Sequence, residues 1–391
     1  MLVSAGLAAH AFFVPISIAG MQIALGVATV GLLLAWERPA RTPLDLPLAA
    51  LVLVAVLSDL FSPYGPPAWE AATLWRSALG YLVVVHGLRL CGKPERLLLF
   101  AAAGVALSAV AGLVQYRTGL DLVHALGLRA TVANVPAPGV PGRWGAMGFF
   151  TSRLTFGHNQ AVLVSLFLGA LAGGALQGKR ALAVGAASLL GLAAIAVTFD
   201  RAAYLGLCAA GLAVVLLAPS RARRVLVPAL AALLLVAALQ PAVRARFQSS
   251  FSGSSNADRV FLWQRAQEII RDHPLRGIGF ANYPRVCGQY YDRVDPQFFM
   301  RTWAHNLELS TLAELGPLGL LALFWLLGAA ALALVRRRRE PLALGAAAAA
   351  AALFAIAQAH DVVYDTKVMY SLWLALGLAL NGDTTSDFRR T

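Results

Sequence analysis

Three cysteines in 391 residues exclude a disulfide scaffold, and Cys91, Cys208 and Cys287 fall on three levels of the chain: a cytoplasmic loop, a span interior and an extracytoplasmic loop. Charge is nearly as scarce. Only 13% of residues are charged against 59% hydrophobic, with mean hydropathy +0.69, whereas a soluble domain is about a quarter charged. A soluble globular protein is therefore excluded. Lysine occurs three times, so the basic excess is arginine. The chain has no Asp-x-Asp loop to hold a divalent cation, no internal repeat and no low-complexity linker. Its first 36 residues hold no charged side chain, and they lack the basic n-region and clear cleavage site of a removable signal peptide.

What is present is a succession of apolar runs, each near the ~20 residues that cross a bilayer as a helix. They are continuously apolar, where barrel strands would alternate. The fold class expected is all-α and polytopic, with about twelve spans near 2–15, 17–35, 46–61, 72–89, 97–115, 159–175, 181–198, 202–218, 225–240, 306–335, 341–358 and 367–381. Pro15 divides the first two. The alanine run 346–352 reads as ordinary span filling.

Short-loop basic residues set the orientation. Arg38, Arg41, Lys93, Arg96, Lys179, Arg180, Arg221 and the run Arg336 to Arg339 mark one set of loops as cytoplasmic, and with them both termini. The arginine run is then a topology anchor, and no nucleic-acid partner is expected. Two long connections, 116–158 and 241–304, face the periplasm by parity. They divide the chain into a first membrane region (1–240), a large loop (241–304) and a second membrane region with a cytoplasmic tail (305–391). The large loop holds nine arginines and no lysine against five acids. Guanidinium forks suit phosphate gripped in a fixed plane; a genome that encodes Arg in place of Lys is the competing explanation. Within the loop, "SSNADRVFLWQRAQEIIRDHPLRGIGF" reads as a capped amphipathic helix at the membrane surface, with Trp263 at headgroup level, ending before Pro274.

Ionisable groups at span ends are costly to bury without a partner or a function. Arg76, His158, Arg201, His305, Glu308, Glu314, His360 and Asp361 all fall near periplasmic span ends and are candidates to converge on one cavity. Arg201 is open to two readings, a snorkelling interfacial arginine paired with Asp200 or a site residue. His305 and Glu308 share a helical face, and histidine is the residue type suited to proton transfer near neutral pH. A structural hydrogen bond or half of a metal site fits the pair too, but no third ligand is near in sequence. In "HPLRGIGFANYP", Arg276 stands beside two glycines that would let backbone approach a ligand. "HDVVYDTK" at 360–367 reads as a polar loop.

Several stretches together resemble one family. "HNLELSTLAELGPLG" reads His-Asn, nine residues, Gly, two residues, Gly, and is similar to the signature of bacterial O-antigen ligases, in the O-antigen ligase and polymerase superfamily. "RVFLWQRAQEIIRDHPLRGIGFANYP" resembles that superfamily's Arg-x-x-x-Trp segment leading to Pro-x-x-Gly-x-Gly. "RLTFGHNQA" resembles its Gly-Thr-Phe-x-x-Asn-like stretch before a central span, and "FDRAAYLGL" its Ser-Arg-Gly turn, with Asp200 in place of serine. The resemblance covers most of residues 150–320.

It implies a GT-C type glycosyltransferase on the periplasmic face of the inner membrane, without metal or other cofactor. The implied donor is a glycan on undecaprenyl diphosphate and the implied acceptor a sugar hydroxyl of lipid A–core. By motif position it assigns His305, Arg201 and Arg259 to catalysis, and Arg265, Arg276, Asn306, Glu308, Arg76 and His158 to substrate binding, with Asn306 and Glu308 orienting the imidazole or the acceptor. An O-antigen polymerase or a protein O-oligosaccharyltransferase would share the donor chemistry. A transporter of amphipathic anions is the alternative from another class, disfavoured because the halves are dissimilar and the ionisable groups gather at one face.

Overall fold

The computed structural model describes residues 1–36, 41–65, 71–219, 253–291 and 303–381. Among them the chain is helical, with no strand beyond a lone bridge between Pro136 and Trp144. The helices are α1 (Leu2–Phe13), α2 (Ile18–Ala35), α3 (Asp45–Leu60), α4 (Ala71–Cys91), α5 (Pro94–Thr118), α6 (Arg153–Ala172), α7 (Gly178–Ala196), α8 (Arg201–Leu217), α9 (Gly253–Asp272), α10 (Leu307–Arg336), α11 (Pro341–Ala357) and α12 (Thr366–Leu380). Eleven of the twelve stretches read as spans are helices here; the twelfth, 225–240, lies outside the described residues. Five of the described helices, α2, α5, α6, α7 and α10, are long and apolar enough to cross a membrane.

Small residues explain how the centre packs. Lipid supplies no hydrophobic drive between helices, so close backbone approach must substitute for it. A Cβ at Gly169 of α6 would lie 2.7 Å from the Cα of Gly345 on α11, and one at Gly206 of α8 would lie 3.0 Å from Ala352 O. Ala346, Ala348, Ala349 and Ala352 of α11 are buried in consequence. With α12, whose Val368, Leu374, Ala375 and Leu380 are fully buried, α6 and α11 form the middle of the bundle.

Buried polar groups cross-link the helix ends. Asn159 donates through Nδ2 to Lys367 O (3.2 Å) and Ser371 Oγ (2.8 Å), tying α6 to α12. Asp121 accepts from the N–H groups of Val123 (3.1 Å) and Ala133 (2.9 Å) and from Arg129 Nη1 (2.9 Å), pinning the segment between α5 and α6. Burial pushes the Asp121 carboxyl up, but these donors outweigh it and hold it below the usual carboxylate range. That segment is shorter than expected: α5 runs to Thr118, and α6 begins at Arg153, capped by Ser152.

The loop helix α9 ends at Asp272, before Pro274, as its sequence predicts. Leu262, Ala266 and Ile269 pack with Ile278, Tyr283, Val286 and Ala313 into a second apolar cluster, which docks the loop on the first turns of α10. Helix α10 is itself broken: Gly316 has φ 66° and precedes Pro317, where a single unbroken span was expected.

Candidate active site

The segment 275–280 meets the break in α10. Ile278 and Gly279 donate their N–H groups to Ala313 O and Glu314 O, each at 2.9 Å, and Ser58 Oγ donates to Arg276 O and Glu314 O, each at 2.9 Å. The close approach that Gly277 permits is to α10, and at Gly279 the neighbours are Ser62 and Asn282. A Cβ at Gly277 would sit 2.3 Å from Glu314 O. Glu314 accepts from the N–H of Tyr283 (3.0 Å) and from the hydroxyl of Tyr364, which makes it a buried clamp between loop and helix.

At the same end of the bundle the N-termini of α6, α8, α10 and α12 and the C-terminus of α11 come together. Asp200 caps α8, its Oδ1 accepting from Ala202 N–H (3.0 Å). Its Oδ2 lies 2.9 Å from His158 Nε2 on α6, both side chains nearly fully buried. Asp200 thus cannot replace the family's serine as a free hydroxyl; it holds His158 and starts a helix. Burial pushes its carboxyl up, but the contact with His158 and the Ala202 N–H hold it below the usual range. Arg153 donates from Nη1 to Thr198 O (2.8 Å) and Phe199 O (3.3 Å), fixing the turn before Asp200, where Phe199 has φ 57°.

His360 connects this pair to the opening motif. Its ring centroid lies 4.6 Å from that of His158 and 5.7 Å from that of His305. Burial, then the neighbouring charge of His158, pushes the His360 imidazole down to about 3, with further lowering from His305 and Arg259. His360 is therefore neutral at physiological pH, and Arg259, on α9 of the large loop, reaches the same pole.

His305 occupies the left-handed region at φ 53°, uncommon for a non-glycine residue. The strained turn directs its N–H to Asp361 Oδ2 (2.6 Å) and places its Nδ1 3.3 Å from the same oxygen. The Asp361 side chain is buried and also accepts from the Ser310 hydroxyl, whereas the His305 side chain is 34% exposed. With Nδ1 buried and facing that carboxylate, Nε2 is the nitrogen left to take a proton.

Asn306 is the cap of α10, its Oδ1 accepting from Leu309 N–H (2.9 Å), and Glu308 Oε1 accepts from Gln358 Nε2 (3.0 Å); of the two expected tasks, orienting the imidazole or the acceptor, the contact with the imidazole is made by another residue. That partner is Asp361, inside the stretch read as a polar loop. Of the remaining candidates, Arg201 opens α8 directly after Asp200, and the backbone of Arg76 accepts from the Tyr370 hydroxyl (2.8 Å). Arg265 is engaged within the loop, paired with Glu268 at 2.9 Å and donating to Tyr290 O. Arg276 is exposed, over the ring of Phe61. Arg244, Arg246, Arg293 and Arg301 lie outside the described residues.

Among the described residues, His158, Asp200 and His360 form one group with metal-ligand spacing, their ligand atoms within 4.8 Å of one another. Two imidazoles and a carboxylate are a donor set for a first-row divalent ion. Against that, the nearby Arg259 charge opposes a further cation. The three cysteines, among the described residues, are free.

A polar network of histidines and carboxylates at one end of an apolar helical bundle defines a membrane protein with an enzyme-like site. Residues 186–324 match the family model described as O-antigen ligase, and the Asp200–Arg201 turn, α9 and the His305 motif fall inside the match. No curated protein matches the chain. The family carries ligase- or polymerase-type function in lipopolysaccharide synthesis and is glycosyltransferase-like. His158, His360 and Asp361 lie outside the matched segment and reach the site only through the fold.

Proposed function

We propose that the chain transfers a glycan from undecaprenyl diphosphate to a sugar hydroxyl of lipid A–core, as a GT-C type enzyme of the inner membrane with its polar pole in the periplasm. The observation that carries this is the convergence of the His305–Asp361 pair with Arg259 and the Asp200–Arg201 turn at one end of the bundle. The opposite end carries Arg41, Lys93, Arg96, Lys179, Arg180 and Arg336 to Arg339, and the short-loop rule makes it cytoplasmic.

The acceptor hydroxyl approaches His305 Nε2 from the periplasm. As its oxygen attacks the anomeric carbon, the proton passes to Nε2 and the bond to the lipid diphosphate breaks. Asp361, 3.3 Å from Nδ1, stabilises the imidazolium that forms. Arg201 and Arg259 stabilise the charge gathering on the departing diphosphate, a task guanidinium groups perform without a metal. A single displacement inverts the anomeric centre, and no carboxylate is assigned as a nucleophile.

Purified protein supplied with the lipid-linked donor and, in parallel, core lipid, unglycosylated protein and free glycan tests this reading. Product on core lipid alone is expected. Product on the growing glycan would make the chain a polymerase, product on protein an O-oligosaccharyltransferase, and no transfer to any acceptor would remove the enzymatic reading.

A further inference from the structure

Three side chains from separate parts of the fold meet beside His305: His158 on the second turn of α6, Asp200 at the start of α8 and His360 between α11 and α12. One ligand-capable atom from each lies within 4.8 Å of the other two. His158 Nε2 and Asp200 Oδ2 are 2.9 Å apart, yet both atoms are buried and neither has a hydrogen-bond partner. Gly157 keeps the approach to that oxygen open, since a Cβ there would lie 3.2 Å from it. Buried polar atoms left in this way are costly unless something else binds them.

We propose that His158, Asp200 and His360 form a site for a first-row divalent ion of the zinc class, and that the ion held there inhibits transfer. Two imidazoles and one carboxylate favour such an ion over magnesium, which takes oxygen ligands. Bonds of about 2.1 Å to a tetrahedral ion place its ligands about 3.4 Å apart. The His158–Asp200 pair therefore has to open slightly from 2.9 Å, and the widest pair to close from no more than 4.8 Å. Arg259 acts on His360 and weakens the site. Asp200 within the set, and Asp361 next to His360 in the chain, oppose that charge.

The ion stands one ring away from His305, whose centroid lies 5.7 Å from that of His360. Its positive charge there opposes the proton that His305 has to accept, and ligation fixes the ring that packs edge-on against the base. Transfer proceeds without the ion and is suppressed by it. The site stands on its own geometry; the inhibition rests on the base assigned under Proposed function.

Cobalt tests the site, because its d–d bands report the ligands. Purified protein stripped with EDTA should bind one Co²⁺ per chain, with nitrogen and oxygen ligation, no thiolate charge-transfer band, and displacement by Zn²⁺ but not by Mg²⁺. His360→Asn should weaken that binding about tenfold or more, since even the loss of a residue that only supports a ligand costs about 10- to 100-fold. His158→Asn, on another element, repeats the test should that variant fail to fold. His124→Asn, in the segment between α5 and α6, should bind as wild type. Zn²⁺ should raise the melting temperature of the wild type and not that of His360→Asn. No bound ion, a thiolate band, or binding unchanged in His360→Asn would overturn the site. Binding kept in Asp200→Asn and lost in Asp361→Asn would also overturn it, by placing the ion on His305 and Asp361. Micromolar Zn²⁺ should cut wild-type transfer about tenfold or more, a part of what a general base contributes, and EDTA should restore it. An ion bound at the three residues with transfer undisturbed would overturn the inhibition. An ion bound there in a protein that transfers no glycan would support the site and refute the catalytic reading.

Discussion

His305 donates its backbone N–H, at 2.6 Å, to the same Asp361 oxygen that lies 3.3 Å from its Nδ1, and Asp361 is a residue on the far side of α11 in the chain. A single carboxylate so holds the backbone and faces the ring of the proposed base. Asp361→Asn keeps the size of the side chain but loses the charge that supports the imidazolium. Its kcat should fall about 10²- to 10⁴-fold with donor affinity little changed, the range typical of acid–base assistance. Equal losses of donor affinity and turnover would instead give Asp361 a structural role.

Arg201 and Arg259 should not tolerate lysine. Arg201→Lys and Arg259→Lys keep the charge but lose the two-pronged geometry, so transfer should fall strongly while the protein still inserts and purifies normally. Full activity in both the Lys and the Ala variants of either position would remove that arginine from the site.

Gly277 tests the docking of the loop. At φ 66° with a Cβ path ending 2.3 Å from Glu314 O, Gly277→Ala meets strain and a clash with backbone that cannot swing away. Thermal stability in detergent and activity should both drop, whereas Gly288→Ala, with open space around it, should be tolerated. Wild-type behaviour of Gly277→Ala would contradict the contact between 275–280 and α10.

Excess EDTA should leave transfer intact, since arginines neutralise the diphosphate. Loss of activity on chelation, restored by a divalent ion, would reassign His158, Asp200 and His360 as ligands of a required ion.

The helices and the turn before Pro274 were legible because apolar run length and proline are local signals. His305 and Arg201 stood out through motifs, and the gathering of His158, His360 and Asp361 at one end followed from span parity. The partner of His305 was not legible: Asp361 is 56 positions away, across a helix, and Asn306 and Glu308 were nearer in sequence. The break at Gly316 and the use of Gly277 against it were equally hidden, because a glycine's need for close approach does not say what approaches.

The most direct measurement is acceptor transfer beside donor binding in purified His305→Ala. Turnover should fall by about 10²-fold or more while the affinity for the lipid-diphosphate donor stays near that of the wild type. Unchanged turnover, or a loss accounted for wholly by weaker donor binding, would contradict His305 as the base that takes the acceptor's proton.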